Sequence, residues 1–370
     1  MSLFIVFNSS SLEFITFHPF QVKMRALLTT QSHGRVVCYY NAGAVYRSGE
    51  GSYGIDDIPV GLCTHIIYAF VGIDGDTHEI KVLDPELDVT KGNFKKFTSL
   101  KSKDPKVKLT VSIGGWGEGG AKYSAMVSDP SYREVFVKSV VDFLTEYSFD
   151  GFDLDWEYPG ATDRDGTAAD KDNFLYLVQE LKAAFIEVGK NWELTASVPL
   201  TQYRLSNGYR VQELFHAMSY DLRGSWDGIC DDGGLALWES NGCPANKLVV
   251  GIPFYGRSFT LNEGTTSFLP GTPTNTTAGG GKAGPFTGES GILAYYEQWA
   301  KYGKCPYAYS TDNQWVGYEN KKSVEIKLNW LKKKGYLGAM TWSIDLDDFR
   351  GMCGEKSPLL KTLHKWLPVP

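Results

Sequence analysis

Long apolar runs and clusters of basic residues are both missing from this sequence of 370 residues. No stretch of about 20 apolar residues occurs, so we expect no membrane-spanning helix and no membrane partner. The net charge is −6 and the Lys and Arg residues do not cluster, which argues against a nucleic acid partner. A phosphate-binding loop, a metal-type cysteine motif and a nucleophilic triad are also missing. We therefore expect neither a metal nor another cofactor.

The N-terminus lacks the features of a convincing signal peptide, because it has no basic first region and its apolar run is interrupted. We treat residues 1–34 as an unassigned leader, faulty or incomplete, and place the folded unit at residues 35–367. The six cysteines are even in number and lack CxxC spacing, which favours disulfides over zinc. Disulfides form in oxidising compartments, so we expect a secreted, extracellular protein.

The segment FDGFDLDWEYPG, residues 149–160, alternates apolar and acidic residues. From Phe152 onward the apolar residues would lie on one face of a strand, and Asp153, Asp155 and Glu157 on the other. Same-face residues are about 6.6 Å apart, so the three acids form a row of roughly 13 Å. Crowding of carboxyl groups in a low-dielectric interior raises their pKa values. We therefore expect the row to retain a proton at neutral pH, as a general acid must.

Two structural alternatives accompany this interpretation. Asp150 faces away from the row by strand parity, so a structural role and a catalytic role are equally open for it. The three acids of the row could be paired with internal bases, but three acids on an apolar strand would be a costly way to build a core. We favour a catalytic row.

The rest of the sequence alternates short apolar runs with amphipathic segments. The predicted strands are residues 36–40, 64–73, 108–115, 149–157, 193–200, 215–222, 247–256 and 335–345. This alternation is typical of parallel strands with crossover helices, and eight units predict an α/β fold closed into a (β/α)8 TIM barrel. The helix before the acidic strand begins at Pro130 with Asp129 as its cap, and another helix follows over 174–188. Chemistry in such barrels lies at the C-terminal ends of strands, where Glu157 falls.

The acidic segment resembles the DxxDxDxE signature of glycoside hydrolase family 18, the chitinases and their relatives, at every position. Four further segments resemble blocks of that family in the same order. These are SIGGW (112–116), MSYD (218–221), GIPFYGRSF (251–259) and GAMTWSIDLDDF (338–349). The resemblance covers about residues 34–366 and is greatest to animal, especially arthropod, catalytic domains. It implies an endo-acting chitinase that cleaves β-1,4 linkages between N-acetylglucosamine units, working as a monomer on chitin or chito-oligosaccharides.

The resemblance also implies a retaining, substrate-assisted mechanism, in which the enzyme supplies no nucleophile. Glu157 would be the acid and then the base. Asp155 would hold the acetamide N–H of the sugar, and Asp153 would share a proton with Asp155. Tyr220 would donate to the acetamide oxygen.

Substrate-binding residues and disulfides are implied in the same way. The residues expected to contact sugar are Trp342, Asp221, Met218, Trp116, Trp226, Tyr255, Arg257, Tyr39 and Phe70. Plain core packing is the alternative for the tryptophans, and pairing with an acid of the insertion is the alternative for Arg257. The implied disulfides join Cys38 to Cys63 and Cys305 to Cys353. Residues 257–334, far longer than one crossover helix, resemble the small α+β insertion that many members carry between strands 7 and 8.

Three features depart from the family pattern. The connection between the fifth and sixth strands is too short for a proper crossover helix, and the span 224–247 is also short. Either an exon-sized piece is missing from the gene model, or the enzyme is trimmed. Gly43 stands where the family usually has a sugar-stacking Trp, which should weaken a distal subsite. A catalytically weak or inactive chitin-binding lectin of the same fold is therefore the alternative function, and an endoglycosidase of N-glycans is a third.

Overall fold

The structure is a computed structural model that describes residues 3–5, 34–211, 234–269, 271–297 and 307–367. Its strands are β1 (Leu3–Ile5), β2 (Arg35–Asn41), β3 (His65–Ile73), β4 (Ile80–Lys81), β5 (Lys108–Gly114), β6 (Gly151–Asp155), β7 (Glu193–Val198), β8 (Leu248–Pro253), β9 (Tyr255–Thr260), β10 (Ile292–Ala294), β11 (Tyr307–Tyr309), β12 (Gln314–Gly317) and β13 (Gly338–Trp342). Its helices are α1 (Asn93–Thr98), α2 (Ala121–Ser128), α3 (Pro130–Tyr147), α4 (Asp170–Glu187), α5 (Gln202–Gly208), α6 (Gly234–Ser240), α7 (Lys321–Lys334) and α8 (Pro358–Trp366).

The main sheet closes on itself as a barrel. Its order is β2-β13-β8-β1-β7-β6-β5-β3, and β3 pairs again with β2. Seven of the predicted strands are present, at β2, β3, β5, β6, β7, β8 and β13. Wherever two of these seven are neighbours they pair in parallel. The (β/α)8 barrel predicted from the sequence is therefore confirmed, while the sixth predicted strand, residues 215–222, lies outside the described residues.

The position between β7 and β8 is occupied by β1. Phe4 pairs in antiparallel fashion with Ser197 on one side and with Val249 on the other. Leu3–Ile5 belong to the segment that the sequence places outside the fold, yet their backbone closes the barrel. The reason is that the edges of β7 and β8 present backbone N–H and C=O groups that any extended segment can pair.

The strands of the barrel separate two hydrophobic clusters. On β2, Val36, Cys38 and Tyr40 belong to the outer cluster, which fills the space between barrel and helices. Val37 and Tyr39 belong to a small inner cluster with residues of β3, β8 and β13. This alternation follows from the two-residue period of a strand, and near-continuous apolar runs are expected where both faces are buried.

The predicted helices around the acidic strand are confirmed. In α3, Pro130 occupies the first turn and the side chain of Asp129 accepts a hydrogen bond from the backbone N–H of Ser131. Helix α4 follows β6 and begins four residues before the predicted start. None of the helices that the structure describes is both long and apolar enough to cross a membrane.

The seventh predicted strand, residues 247–256, is divided between β8 of the barrel and the first two residues of β9, and β9 begins a second sheet that ends before the eighth predicted strand. Its order is β10-β9-β12-β11, and all its pairs are antiparallel. Trp315 lies on β12. This sheet is the insertion that the sequence predicts, and its bounds at 257 and 334 stay a prediction.

The disulfide between Cys38 and Cys63 is confirmed, with the two Cα atoms 6.1 Å apart. It ties β2 to the residues just before β3. The predicted bridge between Cys305 and Cys353 stays a prediction, because Cys305 lies outside the described residues.

Candidate active site

The acidic row lies on β6 and on the residues that follow it. Phe152 and Leu154 belong to the outer hydrophobic cluster, so Asp153 and Asp155 face the inside of the barrel. The prediction that the apolar residues and the acids lie on opposite faces of this strand is therefore confirmed. The strand is shorter than predicted, since it ends at Asp155 and leaves Glu157 on the loop beyond its C-terminal end.

Asp153 is completely buried and accepts three hydroxyl hydrogen bonds. Tyr39 donates to its Oδ2 at 2.6 Å and Ser112 at 2.7 Å, while Thr195 donates to its Oδ1 at 2.7 Å. Burial raises the pKa of Asp153, and the three hydroxyls counteract that rise because they stabilise the ionised form. These neutral donors hold a carboxyl group inside the barrel at a fixed position.

Asp155 has a more strongly perturbed pKa than Asp153. Burial raises its pKa well above the usual range, the charges of Glu157 and Asp153 raise it further, and the Ser197 hydroxyl opposes the rise. Its Oδ1 is buried and has no hydrogen-bond partner among the residues that the structure describes. Buried carboxyl oxygens are normally hydrogen-bonded, so this atom is available to a ligand.

Glu157 is partly exposed, in contrast to Asp153 and Asp155. Its backbone carbonyl accepts a hydrogen bond of 3.2 Å from Nε of Arg164. The row therefore runs from a sealed carboxyl on β6 to one that a substrate can reach at the C-terminal mouth of the barrel, which is where barrel enzymes carry their chemistry.

Gly114 allows the close approach of β5 to the acidic strand. It pairs with Asp155 and has a φ of 115°, a backbone conformation that favours glycine. A Cβ atom at this position would lie 2.2 Å from the backbone oxygen of Asp155. The first of the two glycines in the SIGGW segment is thus required by the position of the acidic row.

Three of the aromatic residues expected to contact sugar lie together beside the acids. Trp342 ends β13 and is partly exposed. Its ring centroid is 5.4 Å from that of Tyr39 and 5.4 Å from that of Phe70, with Phe70 stacked at 21°. Because Tyr39 also bonds Asp153, the aromatic group and the acidic row are continuous.

The other predicted contacts are distributed differently. Trp116 is 61% exposed in the turn after β5. Tyr255 is buried on β9, and the guanidinium of Arg257 lies 5.4 Å from the centroid of its ring. Their contact with sugar stays a prediction. Four predicted residues lie outside the described part of the chain: Met218, Tyr220, Asp221 and Trp226.

Of the two roles left open for Asp150, structural and catalytic, the contacts of its side chain favour the structural one. Its Oδ2 accepts a hydrogen bond of 2.8 Å from the backbone N–H of Leu109, and its Oδ1 pairs with Lys101. It therefore ties the start of the acidic strand to the neighbouring strand and to a basic side chain outside the barrel.

The polar residues that support the row were not predicted from the sequence. Ser112 and Thr195 pair in register with Asp153 on the two flanking strands, and Ser197 lies two residues beyond Thr195. Their alternation with apolar residues in the two strands was the available signal, because it places them on the same inward face as the acids. Arg164, on the loop after Glu157, gave no such signal.

The family model described as "Glycosyl hydrolases family 18" matches residues 35–347. An endochitinase of Manduca sexta is 55% identical to this chain over an alignment 376 residues long. The alignment covers 91% of this chain and 68% of the relative.

Two solved structures bear on the site. A Group IV chitinase of Ostrinia furnacalis in complex with allosamidin has a TM-score of 0.83 and 36% identity, covering 90% of this chain and 98% of the other. Human YKL-39, described as a pseudo-chitinase with retained chitooligosaccharide binding, has a TM-score of 0.78 and 33% identity, covering 91% of this chain and 100% of the other.

Proposed function

The chain belongs to family 18 of the glycosyl hydrolases, and we propose that it is an endo-acting chitinase that hydrolyses β-1,4 linkages between N-acetylglucosamine units. Two observations together support this proposal most directly. The chain is 55% identical to an endochitinase, and its acidic row ends in a carboxyl group that a substrate can reach, Glu157.

The proposed mechanism needs no nucleophile from the protein. Glu157 gives its proton to the glycosidic oxygen as the bond from that oxygen to the anomeric carbon breaks. The acetamide oxygen of the same sugar bonds to the anomeric carbon and forms an oxazolinium ion. Water then gives a proton to the Glu157 carboxylate and its oxygen attacks the anomeric carbon, which releases the acetamide oxygen and retains the β configuration.

Asp155 would hold the acetamide group during these steps. Its buried Oδ1 has no partner among the described residues and can accept the acetamide N–H. Burial and, after it, the charges of Glu157 and Asp153 raise its pKa, and the positive oxazolinium offsets part of the cost of ionising it. Asp153 shares a proton with Asp155 in this scheme, and Tyr220 donates to the acetamide oxygen.

The aromatic group supplies the proposed sugar site. Trp342 forms the floor under the sugar whose bond is cleaved. Tyr39 and Phe70 contact the indole ring of Trp342 and hold it in place. Aromatic rings present flat apolar surface at low conformational cost, which suits the C–H face of a sugar. Asp221 and Met218 complete the site, and Trp116 and Trp226 extend it along the cleft.

The proposal includes the cellular setting. The chain acts as a secreted monomer on chitin or chito-oligosaccharides, with no nucleic acid partner. The Cys38–Cys63 disulfide supports the proposed secretion, since such bonds persist in oxidising compartments.

The experiment uses fluorogenic chitotriose and the pure protein. We expect the wild-type protein to release the fluorophore and Glu157→Gln to lose about 10²- to 10⁴-fold in turnover, because the amide keeps the size of the side chain but has no proton to transfer. Oligosaccharide binding should survive in the variant. A wild-type protein that binds the oligosaccharide without cleaving it would overturn the proposal in favour of a lectin.

A further inference from the structure

Arg164 connects the exposed Trp116 to the backbone of Glu157. Its guanidinium carbon lies 3.9 Å from the centroid of the Trp116 ring. Nη2 donates a hydrogen bond to the backbone carbonyl of Trp116, and Nε donates one of 3.2 Å to the backbone carbonyl of Glu157. One side chain thus contacts the ring, the backbone of the ring's residue and the backbone of the acid.

Trp116 needs such a support. With 61% of its surface exposed, on a short turn between two glycines, the indole is not held by a hydrophobic core. The guanidinium covers one face of the ring. A cation over an indole face is attracted by the ring quadrupole, and the planar guanidinium can stack on it. The opposite face then remains for a ligand.

The loop that carries Arg164 is itself anchored. On one side the backbone packs so tightly that a Cβ atom at Gly120 would lie 1.9 Å from the backbone oxygen of Arg164. On the other side Asp163 forms a bidentate pair with Arg204 of α5, with N–O distances of 2.6 and 2.7 Å. The buried carboxyl of Asp170 accepts from the backbone N–H of Gly160 at 3.1 Å, which fixes the start of the loop.

We infer that Arg164 is a positioning residue for substrate binding, which holds Trp116 as a sugar platform at a fixed distance from Glu157. The inference rests on the proposed function. Arg164 makes no contact with the reacting atoms in this scheme, since its two hydrogen bonds go to the backbone carbonyls of Glu157 and Trp116. Its effect on catalysis passes through the indole that it orients.

The requirement is for a guanidinium rather than for a positive charge. Lysine carries a compact ammonium group that cannot stack as a plane on the indole while donating to two carbonyls. Arg164→Lys should therefore recover little of what Arg164→Met loses, although it restores the charge.

The test measures binding of hexa-N-acetylchitohexaose by calorimetry in the Glu157→Gln background, where the ligand is not consumed. We expect Arg164→Met to weaken binding roughly three- to tenfold, the scale of a cation–π contact with its hydrogen bonds at an exposed site. Lys138→Met, which removes an exposed cation of α3, is the matched control and should bind as the parent does. Equal melting temperatures of the two variants would show that Arg164→Met remains folded.

A second comparison distinguishes positioning of Trp116 from a general structural role. In a Trp116→Ala protein, Arg164→Met should weaken binding no further, because its partner is gone. The inference would be overturned if Arg164→Met weakened binding equally with and without Trp116. It would also be overturned if Arg164→Met and Arg164→Lys both bound the oligosaccharide as tightly as the parent protein. Failure of the proposed function is recognised separately, by a wild-type protein without activity on chitotriose.

Discussion

Tyr39 and Asp153 are joined across the interior of the barrel by a hydrogen bond of 2.6 Å from the phenol to Oδ2. The same phenol is 2.9 Å from Oγ of Ser197, and its ring lies 5.4 Å from that of Trp342. One side chain therefore belongs both to the polar support of the acidic row and to the aromatic wall of the proposed sugar site. A change at Tyr39 affects the two together.

We expect Tyr39→Phe to lower the free energy of unfolding by about 1–3 kcal/mol, because a buried carboxyl loses one of its three donors. The change also raises the pKa of Asp153 further, since the lost hydroxyl favoured the ionised form. Urea denaturation at neutral pH measures the effect.

Tyr40→Phe is the matched control for this prediction. Tyr40 is the next residue on β2, equally buried but in the outer cluster, and its hydroxyl interacts with the side chain of Asn93 and donates to no carboxyl group among the described residues. Its removal should be close to neutral. Equal losses of stability in the two variants would show that the bond to Asp153 contributes nothing.

A pH-dependent loss of stability is expected from Asp347. Its buried carboxyl accepts backbone hydrogen bonds from Leu359 and Leu360 at the start of α8, and burial raises its pKa to about 7. A carboxyl whose pKa is higher in the folded than in the unfolded state holds its proton in the folded state. Its favourable contribution is therefore complete at low pH and is lost as the pH rises towards 7.

Asp347→Asn tests this sign, because the amide does not titrate while its oxygen can still accept from the N–H groups of Leu359 and Leu360. The N–H of Asp348, which donates to the other carboxyl oxygen, loses its acceptor in the variant at both pH values alike. Between pH 5 and pH 7 the wild-type protein should lose about 2 kcal/mol more stability than the variant. Urea denaturation at both pH values provides the comparison. Parallel changes in the two proteins would mean that Asp347 titrates normally.

The substrate-assisted mechanism predicts which polymer is cleaved. The sugar on the glycone side of the cut must carry an N-acetyl group, so fully deacetylated chitosan should remain intact while acetylated polymer of the same length is cleaved. The new reducing end should first appear as the β anomer, because the acetamide oxygen and then water attack opposite faces. Early-time NMR of the products decides this, and an α anomer released first would contradict the roles of Asp155 and Tyr220.

Removal of the Cys38–Cys63 disulfide should destabilise the barrel. The bond closes a loop between cysteines that are 25 positions apart, which corresponds to about 3.5 kcal/mol by the loop-entropy relation. Urea denaturation, with and without a reductant, measures the free energy of unfolding of the wild-type protein and of a variant with both cysteines replaced by Ala. The reductant should destabilise the wild-type protein more than the variant, and equal effects would show that this bond contributes little.

Much of the barrel and the row could be predicted from the sequence because both depend on local periods. The alternation that begins at Phe152 assigns faces from neighbouring residues alone, and the burial of Phe152 and Leu154 agrees with it. The cap at Asp129 is also local, since it involves only the next residues of the chain. Such features need no knowledge of which strands are neighbours.

The missed residues depend on long-range alignment. Ser112 and Thr195 reach Asp153 only because β5, β6 and β7 pair in one particular register, and a slip by one residue would turn them to the other face. Arg164 meets Trp116 through the folding of two loops that follow different strands. The strand at Leu3–Ile5 was missed for another reason, since it pairs through its backbone, which every sequence shares.

Gly114 limits how this cleft can be redesigned. Any side chain there would displace the backbone of Asp155, so a substitution would damage the acidic row before it altered the shape of the sugar site. Trp116, two residues further along, is exposed and has no such constraint from its backbone. Mutational freedom is therefore concentrated at the rim of the cleft, and a library meant to change the preferred oligosaccharide should vary the rim and leave the glycine unchanged.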